Sequence, residues 1–559
     1  MSHNDGVKNS MAIAAAALIA ILFMQEPGVL FYIAIIGSAL LVLTAITSPW
    51  LGLLALFPLA FALRPAPPSV GAQEMVFAAL LMVVFLSALI ELLRAQGLRS
   101  VLRLFAAPLL IGLGFLALNL AIAMYNHVAV ADWIRGVVPF LFIYALIPVC
   151  ALVGRKESNI RWLGASVGTL ILLTAGYIVF YYFYHGLWQS YWTILVNGEM
   201  VRIPHDEALL NAHALGPMHD RITMVVAQAT DAILPLGMVV GYVVSSSIPD
   251  RRIVLVSSFM SLLCMAAVLI TFTRSMLISG LLCIGLFSLY TFFAHKRLRL
   301  KVALSIVTQA LFGLAFIFAT GMEDIWLGRM NSLAQTALPI ATSSIESIGT
   351  HNPQADVLPS VPSNVAINED APQPQPEPEP EPEPVAKEKQ DFNVSSRVQE
   401  YKIAWKMFQD HPVLGNGIGA KHEMRWERPN GSSFTESVGY IHNWPLYMLM
   451  VGGVVGLLLY TLILCAPVVF RLSAIKSDPT HLAVIRTAVM TMAIYGLFFA
   501  VFRLISFNLL LAVAWGVMLA HKHSTHVMDI AQSDSHTAPS SNAKVTAGTV
   551  VKDTKETWV

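Results

Sequence analysis

Long apolar runs separated by short polar segments dominate the chain of 559 residues. A helix needs about 20 residues to cross a bilayer, and most of the runs approach or exceed that length. The runs lie near 11–24, 28–47, 50–63, 73–93, 104–124, 133–153, 162–184, 222–245, 253–273, 275–294, 302–320, 441–470, 481–501 and 505–520. Two of them are short and the last two divide in more than one way, so the pattern predicts an all-α, polytopic membrane bundle of about 12 to 14 transmembrane helices.

Lysine and arginine cluster in five of the loops between these runs. The clusters are Arg94, Arg99 and Arg103; Arg155, Lys156 and Arg161; Arg251 and Arg252; His295 to Lys301; and Arg471 and Lys476. Basic loops of membrane proteins favour the cytoplasm. With the predicted spans all five clusters fall on one side, together with both termini, so we expect the N- and C-termini to be cytoplasmic.

Two long segments then face outward, 185–221 and 321–440. The second contains a low-complexity stretch, 341–391, with alternating Pro and Glu from Pro374 to Pro384. Such a stretch has nothing to bury and favours an extended polyproline helix, either as a spacer or as a tolerated disordered insertion. The sequence thus predicts an N-terminal membrane region (1–320), a long periplasmic loop (321–440), a C-terminal membrane region (441–520) and a disordered cytoplasmic tail (521–559).

Composition excludes several classes of protein. Charged residues make up 12% of the chain, hydrophobic residues 56%, and the mean hydropathy is +0.66, which excludes a soluble enzyme and a disordered scaffold. The net charge is +1, and no basic stripe lies outside the membrane-flanking loops, so no nucleic-acid partner is expected. The four cysteines all fall in apolar runs, which argues against a disulfide framework or a zinc site.

Polar residues that could take part in catalysis or binding lie at the outer ends of the later spans. Arg274 follows a tight turn after the span 253–273, and Arg397 opens a helical pattern over 396–408. A Pro-x-x-Gly-x-Gly turn occupies 412–417 but lacks the Lys-Ser/Thr of a nucleotide-binding loop. His442 and Asn443 open the span 441–470, in which Pro445 suits a first helical turn and Gly452 and Gly456 allow close helix approach. Each of these residues alone is also compatible with a simple interfacial position.

Together, and in this order, these elements resemble the O-antigen ligase and polymerase family. The resemblance rests on Thr-x-x-Arg-Ser at 271–275, the arginine opening a Trp-containing helix, the glycine turn, and His442-Asn443-x-x-Leu446 followed by Gly452. It covers roughly residues 250–470, and the Pro/Glu insertion departs from it. The resemblance implies a GT-C-like membrane glycosyltransferase that uses a polyprenyl-diphosphate-linked glycan donor, needs no cofactor or metal, and acts at the periplasmic face of a bacterial inner membrane.

The resemblance also implies residue roles. Arg274 and Arg397 are expected to bind the donor diphosphate, since arginine stays charged and grips phosphate in a bidentate manner. His442 is expected to be the general base for the acceptor hydroxyl. Asn443 is a candidate for orienting the acceptor. Expected partners are the lipid-linked donor, a lipid A-core or glycan acceptor, and membrane lipids.

Two further sets of polar residues could contact substrate or metal. Asp231 lies inside the span 222–245, where a carboxylate is costly, and Arg135 near the outer end of 133–153 is a possible partner. We favour a structural ion pair over a catalytic role and keep both residues as candidate substrate contacts. The loop 185–221 contains His205, Asp206, His213, His219 and Asp220, but their spacing matches no standard metal site, so no metal is expected.

Two functional classes stay open. The first is a lipid-linked glycan transferase, either an O-antigen ligase, an O-antigen or exopolysaccharide polymerase, or a protein O-oligosaccharyltransferase. The second is a secondary transporter, which would be expected to show two related halves and ionisable residues near the midplane. We see no internal repeat, and only Asp231 is clearly inside a span, so the transferase is favoured.

Overall fold

The computed structural model describes residues 3–24, 28–63, 71–156, 158–184, 191–196, 199–204, 233–271, 273–323, 326–328, 330–331, 392–427, 433–469 and 480–520. The chain divides into two compact units. One comprises Met1–Met322 and Tyr401–Val559, and the other comprises Glu323–Glu400. The division into four regions made from the sequence stays a prediction.

Helices account for almost all of the regular structure in the first unit. In chain order they are α1 (His3–Phe23), α2 (Val29–Thr47), α3 (Pro49–Ala60), α4 (Ala72–Leu104), α5 (Ala106–Tyr125), α6 (Val130–Leu141), α7 (Leu146–Val153), α8 (Ser158–Tyr184), α9 (Ile233–Ser247), α10 (Arg251–Ile270), α11 (Arg274–Ala294), α12 (Arg299–Ala319), α13 (Phe392–Asp410), α14 (Trp444–Val469), α15 (Thr480–Tyr495) and α16 (Ile505–Ala520). Helix α13 begins in the second unit and continues into the first. The predicted all-α architecture is confirmed.

Within the described residues, ten helices are long and apolar enough to cross a bilayer, with α6 and α7 counted as one segment. Four shorter apolar helices, α3, α9, α15 and α16, complete the set. Every apolar run read from the sequence overlaps one of these helices. The chain is therefore a multi-pass membrane protein.

The outward faces of the helices carry large apolar side chains, as expected for a surface in contact with lipid. Tyr32 and Leu40 on α2 are 66% and 60% exposed, and Leu110 on α5 is 74% exposed. By contrast, α9 is buried along most of its length. The bundle thus has lipid-facing helices around a smaller set of enclosed ones.

Polar contacts connect the enclosed helix α9 to its neighbours. Ser261 on α10 donates to the Met238 carbonyl at 2.6 Å and accepts from the Gln309 amide of α12 at 2.7 Å. Tyr242 and Ser288 of α11 share a hydrogen bond of 2.7 Å. Small or hydroxylated residues let these helices approach closely and satisfy one another's polar groups. The contacts fix α10 and α11, whose junction carries Arg274.

Two features of the chain were not predicted. Helix α4 continues through the basic cluster near Arg94 to Leu104, interrupted only at Gly97, whose φ of 73° is left-handed. Two antiparallel hairpins also occur, β1 (Tyr191–Val196) with β2 (Glu199–Pro204) and β3 (His422–Glu427) with β4 (Ser433–Val438). The sequence between β1 and β2, Asn197-Gly198, is the dipeptide most typical of a two-residue hairpin, a signal that is independent of the pattern of apolar runs.

Candidate functional site

His442 lies between the end of hairpin β3–β4 and the start of α14, and its ring is held by aromatic side chains. The imidazole packs edge-on against Tyr440, with ring centroids 5.1 Å apart, and against Phe499, at 5.4 Å. Phe499 in turn stacks on Tyr495 at 5.8 Å. The residue is half-buried. This packing restricts the orientation of the imidazole, which a proton-accepting group needs.

The start of α14 is fixed to the end of α15. Asn443 accepts from the Leu446 amide at 3.0 Å, which caps the helix, and its own amide donates to the Leu497 carbonyl at 3.1 Å. The Trp444 backbone amide donates to the Gly496 carbonyl at 3.0 Å, and its indole donates to the Ala493 carbonyl at 3.1 Å. Asn443 therefore positions the helix end on which His442 lies.

The glycine turn of residues 411–419 fills a break in α14. At Gly453 the helix adopts φ 59°, which interrupts its hydrogen bonding. The Gly417 amide donates to the Val451 carbonyl at 2.8 Å, and the Val454 amide donates to the Pro412 carbonyl at 2.9 Å. Backbone groups freed within an apolar bundle need such partners, because lipid cannot supply them.

Three asparagines complete this junction. Asn416 donates to the Met450 carbonyl at 2.9 Å, and Asn126 donates to the Gly415 carbonyl at 3.3 Å. Asn119 of α5, fully buried, donates to the Val451 carbonyl at 3.0 Å and accepts from the Ile418 amide at 2.7 Å. The glycine turn is thus a rigid part of the bundle that joins α5 to α14. It leads directly into the hairpin that ends beside His442.

Helix α13 confirms the helical pattern predicted over 396–408. Ala404 is buried, whereas Trp405 is 48% exposed, so the apolar face is wider than its buried part. The Tyr401 hydroxyl donates to the backbone carbonyl of His442 at 3.3 Å. This contact links the part of α13 that lies in the first unit to the His442 segment.

Arg397 and Glu400 form an ion pair on the first half of α13, in the second unit. One guanidinium nitrogen of Arg397 lies 3.2 Å from both carboxylate oxygens of Glu400. Glu400 is buried, and this burial raises the pKa of its carboxyl to about 7, although the charge of Arg397 opposes the shift. The placement of Arg397 in relation to His442 stays a prediction.

Replacement of Glu400 by glutamine is expected to flatten the pH dependence of thermal stability. A buried acid with a raised pKa keeps its proton in the folded chain between the usual value and about 7, so its contribution to stability is complete at low pH and is lost as the pH rises through about 7. As the pH rises from 4.5 to 8, the free energy of unfolding of Glu400→Gln should increase by on the order of 3 kcal/mol relative to that of wild type. Melting temperatures of the purified chain at several pH values test this.

Glu423 on β3 is exposed and provides the matched control. The variant Glu423→Gln should have a stability profile that runs parallel to that of wild type. Parallel profiles for Glu400→Gln as well would show that the Glu400 carboxyl does not titrate near neutrality.

Arg274 is the first residue of α11, and Thr273 directly precedes it. The Thr271 hydroxyl donates to the Val268 carbonyl at 2.8 Å and accepts from the Thr273 amide at 3.4 Å, so the two threonines connect the end of α10 to the start of α11. Arg274 is half-buried. Helix α11 packs against α15, the helix whose end is bonded to Asn443 and Trp444. Arg274 thus lies where two apolar helices meet, as the sequence predicts, and its convergence with His442 stays a prediction.

The roles of the other candidate residues stay predictions. Arg135 is exposed on α6, one turn after Asp132, whose carboxylate pairs with Lys421 at 2.8 Å. Asp231 lies outside the described residues, as do His205, Asp206, His213, His219 and Asp220 of the second loop. In the part of the chain that the structure describes, no group of three His, Cys, Asp or Glu side chains is suited to a metal.

Arg503 was missed by the sequence analysis. It belongs to a short 3-10 helix, Val501–Arg503, between α15 and α16, and its guanidinium carbon lies 4.8 Å above the Tyr440 ring. Its signal in the sequence is an arginine between the apolar runs 481–501 and 505–520. The structure places it one aromatic ring away from His442.

Comparison with known proteins gives one positive finding. The sequence model of the O-antigen ligase family matches residues 259–461, which run from α10 to the middle of α14. The matched region contains Arg274, Arg397, the glycine turn and His442. No curated protein matches the chain. Residues 259–461, less than half of the chain, are therefore similar to the O-antigen ligase family.

Proposed function

We propose that the chain transfers a glycan from a polyprenyl-diphosphate carrier to an acceptor hydroxyl, acting as an O-antigen ligase with lipid A-core as the acceptor. The site would face the periplasm from the bacterial inner membrane, with undecaprenyl diphosphate as the carrier. The observation that carries the proposal is the packing of the His442 ring between Tyr440 and Phe499, here called the aromatic clamp. It lies just before α14, inside the region that matches the family. It supplies an oriented base where the resemblance expects one.

The transfer step is a displacement at the anomeric carbon. The acceptor oxygen forms the new bond to that carbon, and the bond between the carbon and the diphosphate oxygen breaks. The acceptor proton passes to a ring nitrogen of His442, and polyprenyl diphosphate departs with the bonding pair. A positioned base of this kind contributes about 10²–10⁴-fold to the rate.

Cationic side chains stabilise the departing diphosphate in this proposal. Arg274 and Arg397 have this role, because a guanidinium remains charged at any working pH and offers two parallel hydrogen bonds to phosphate. A reaction driven by such cations and a histidine base needs no metal ion. Asn443 acts through helix capping, and Asp231 and Arg135 stay candidate substrate contacts.

A polymerase or a protein O-oligosaccharyltransferase would use the same chemistry with a different acceptor. Deleting the gene and examining surface polysaccharide on a gel separates these activities. Loss of capped lipopolysaccharide, with lipid-linked polymer still made, supports the ligase. Capping by a single repeat instead indicates a polymerase, and an unchanged polysaccharide profile with an unmodified glycoprotein indicates transfer to protein.

A further inference from the structure

Arg503 lies in an apolar part of the bundle, and at least one of its hydrogen-bond donors is unsatisfied. Its Nε is buried and has no hydrogen-bond partner, and among the described residues no carboxylate forms an ion pair with it. A buried, unsatisfied donor of a charged group is costly and calls for an explanation. The residue is half-buried, so part of the side chain remains accessible.

The backbone around Arg503 is held firmly on both sides. Phe502 is completely buried and packs on Tyr447 of α14, with ring centroids 5.0 Å apart. Asn508, also buried, donates to the Phe502 carbonyl at 3.0 Å and to the Leu504 carbonyl at 2.9 Å. These contacts preserve the short 3-10 helix Val501–Arg503 between two apolar α-helices, where an uninterrupted α-helix would otherwise be favoured.

The side chain of Arg503 is oriented as well. The guanidinium lies over the Tyr440 ring at 4.8 Å, and the His442 ring also lies beside that ring, at 5.1 Å between centroids. Stacking fixes the plane of a guanidinium and leaves its edge available for hydrogen bonds. Arg503 and His442 therefore flank one aromatic ring at the same end of the bundle.

We propose that Arg503 binds the diphosphate of the lipid-linked donor, as a further cation of the site around His442. This inference rests on the proposed function, and it adds a residue supplied by the turn between α15 and α16, outside the region 259–461 that matches the family. A preorganised cation beside the base stabilises the negative charge that develops as the diphosphate leaves.

The test uses the purified full chain in phosphatidylcholine nanodiscs, with glycan-free polyprenyl diphosphate as the binding probe. Arg503→Gln should weaken binding of the probe by at least about tenfold, because a hydrogen bond to a charged group is lost. It should raise the donor KM similarly and leave the acceptor KM unchanged. Arg503→Lys, which keeps the charge but lacks the fork, should lie between wild type and Arg503→Gln.

Arg299 provides a matched control at the beginning of α12. Its guanidinium also lies 4.8 Å above an aromatic ring, that of Phe292, within the basic cluster that includes Lys301. Arg299→Gln should bind the probe as wild type does.

Unchanged probe binding by Arg503→Gln would overturn the inference, and so would a lower kcat with unchanged donor affinity, which would show that Arg503 only positions Tyr440 and His442. If Arg503→Gln does not fold, Arg503→Lys decides the matter, because wild-type affinity in that variant contradicts a bidentate phosphate contact. Failure of the proposed function would be visible separately, as a wild-type chain that binds the probe but transfers no glycan.

Discussion

Replacement of His442 by alanine is expected to lower glycan transfer by about 10²–10⁴-fold, which is the range contributed by a positioned general base. Binding of the lipid-linked donor should remain near that of wild type, because the imidazole acts on the acceptor hydroxyl. The variant should also lose the acidic limb of the pH–rate profile, since its residual activity no longer depends on an unprotonated imidazole. Initial rates across a pH series, together with donor binding, measure all three effects.

His411 supplies the control for this experiment. It follows α13 and is exposed, and His411→Ala removes an imidazole without touching the aromatic clamp. Its rate and pH profile should match those of wild type. If His442→Ala transfers glycan at nearly the wild-type rate with the same pH dependence, His442 is only an interfacial residue, and the base must be sought elsewhere, with Asp231 or the substrate's own diphosphate as the next candidates.

The second large effect is expected at Gly417, where alanine should destabilise the whole bundle. Gly417 has φ 91°, and a Cβ there would lie 2.6 Å from the Cα of Ala123 on α5. Backbone atoms cannot move aside as a flexible side chain can, and the left-handed conformation adds strain of its own. Together these terms should cost at least about 3 kcal/mol. Thermal unfolding and size-exclusion chromatography in detergent provide the measurement.

Gly114, on the same helix α5 as Ala123, has open space where a Cβ would point. Gly114→Ala should therefore be neutral or slightly stabilising, because alanine favours the helix more than glycine does. A Gly417→Ala variant that melts at the same temperature as Gly114→Ala would show that the glycine turn is not packed against α5.

Much of the membrane architecture was predictable from the sequence because it depends on local composition. Each apolar run, including the short one near 50–63, corresponds to a described helix, since about 20 apolar residues have few alternatives to a membrane helix. The helix over 396–408 was also predictable from its apolar spacing, and Arg274 from the Thr-x-x-Arg-Ser turn. These patterns act over one or two helical turns.

The rest of the site depends on contacts between distant parts of the chain. The break at Gly453 is stabilised by carbonyl and amide groups of residues 412–417, which no local pattern reveals. Arg503 lies near His442 only because the segment between α15 and α16 packs beside Tyr440, which is distant from it in sequence. Burial of Glu400 likewise depends on packing, so its raised pKa had no signal in the sequence.

The most direct test of the central claim is reconstitution of transfer with defined components. The purified chain in liposomes would receive a polyprenyl-diphosphate-linked glycan and a lipid A-core acceptor, with EDTA present, and both products would be followed by mass spectrometry. The account predicts glycosylated acceptor and free polyprenyl diphosphate in equal amounts, and a loss of both with His442→Ala. The account would be contradicted if a folded wild-type chain consumed no donor. It would also be contradicted if the intact lipid-linked glycan crossed the bilayer without cleavage.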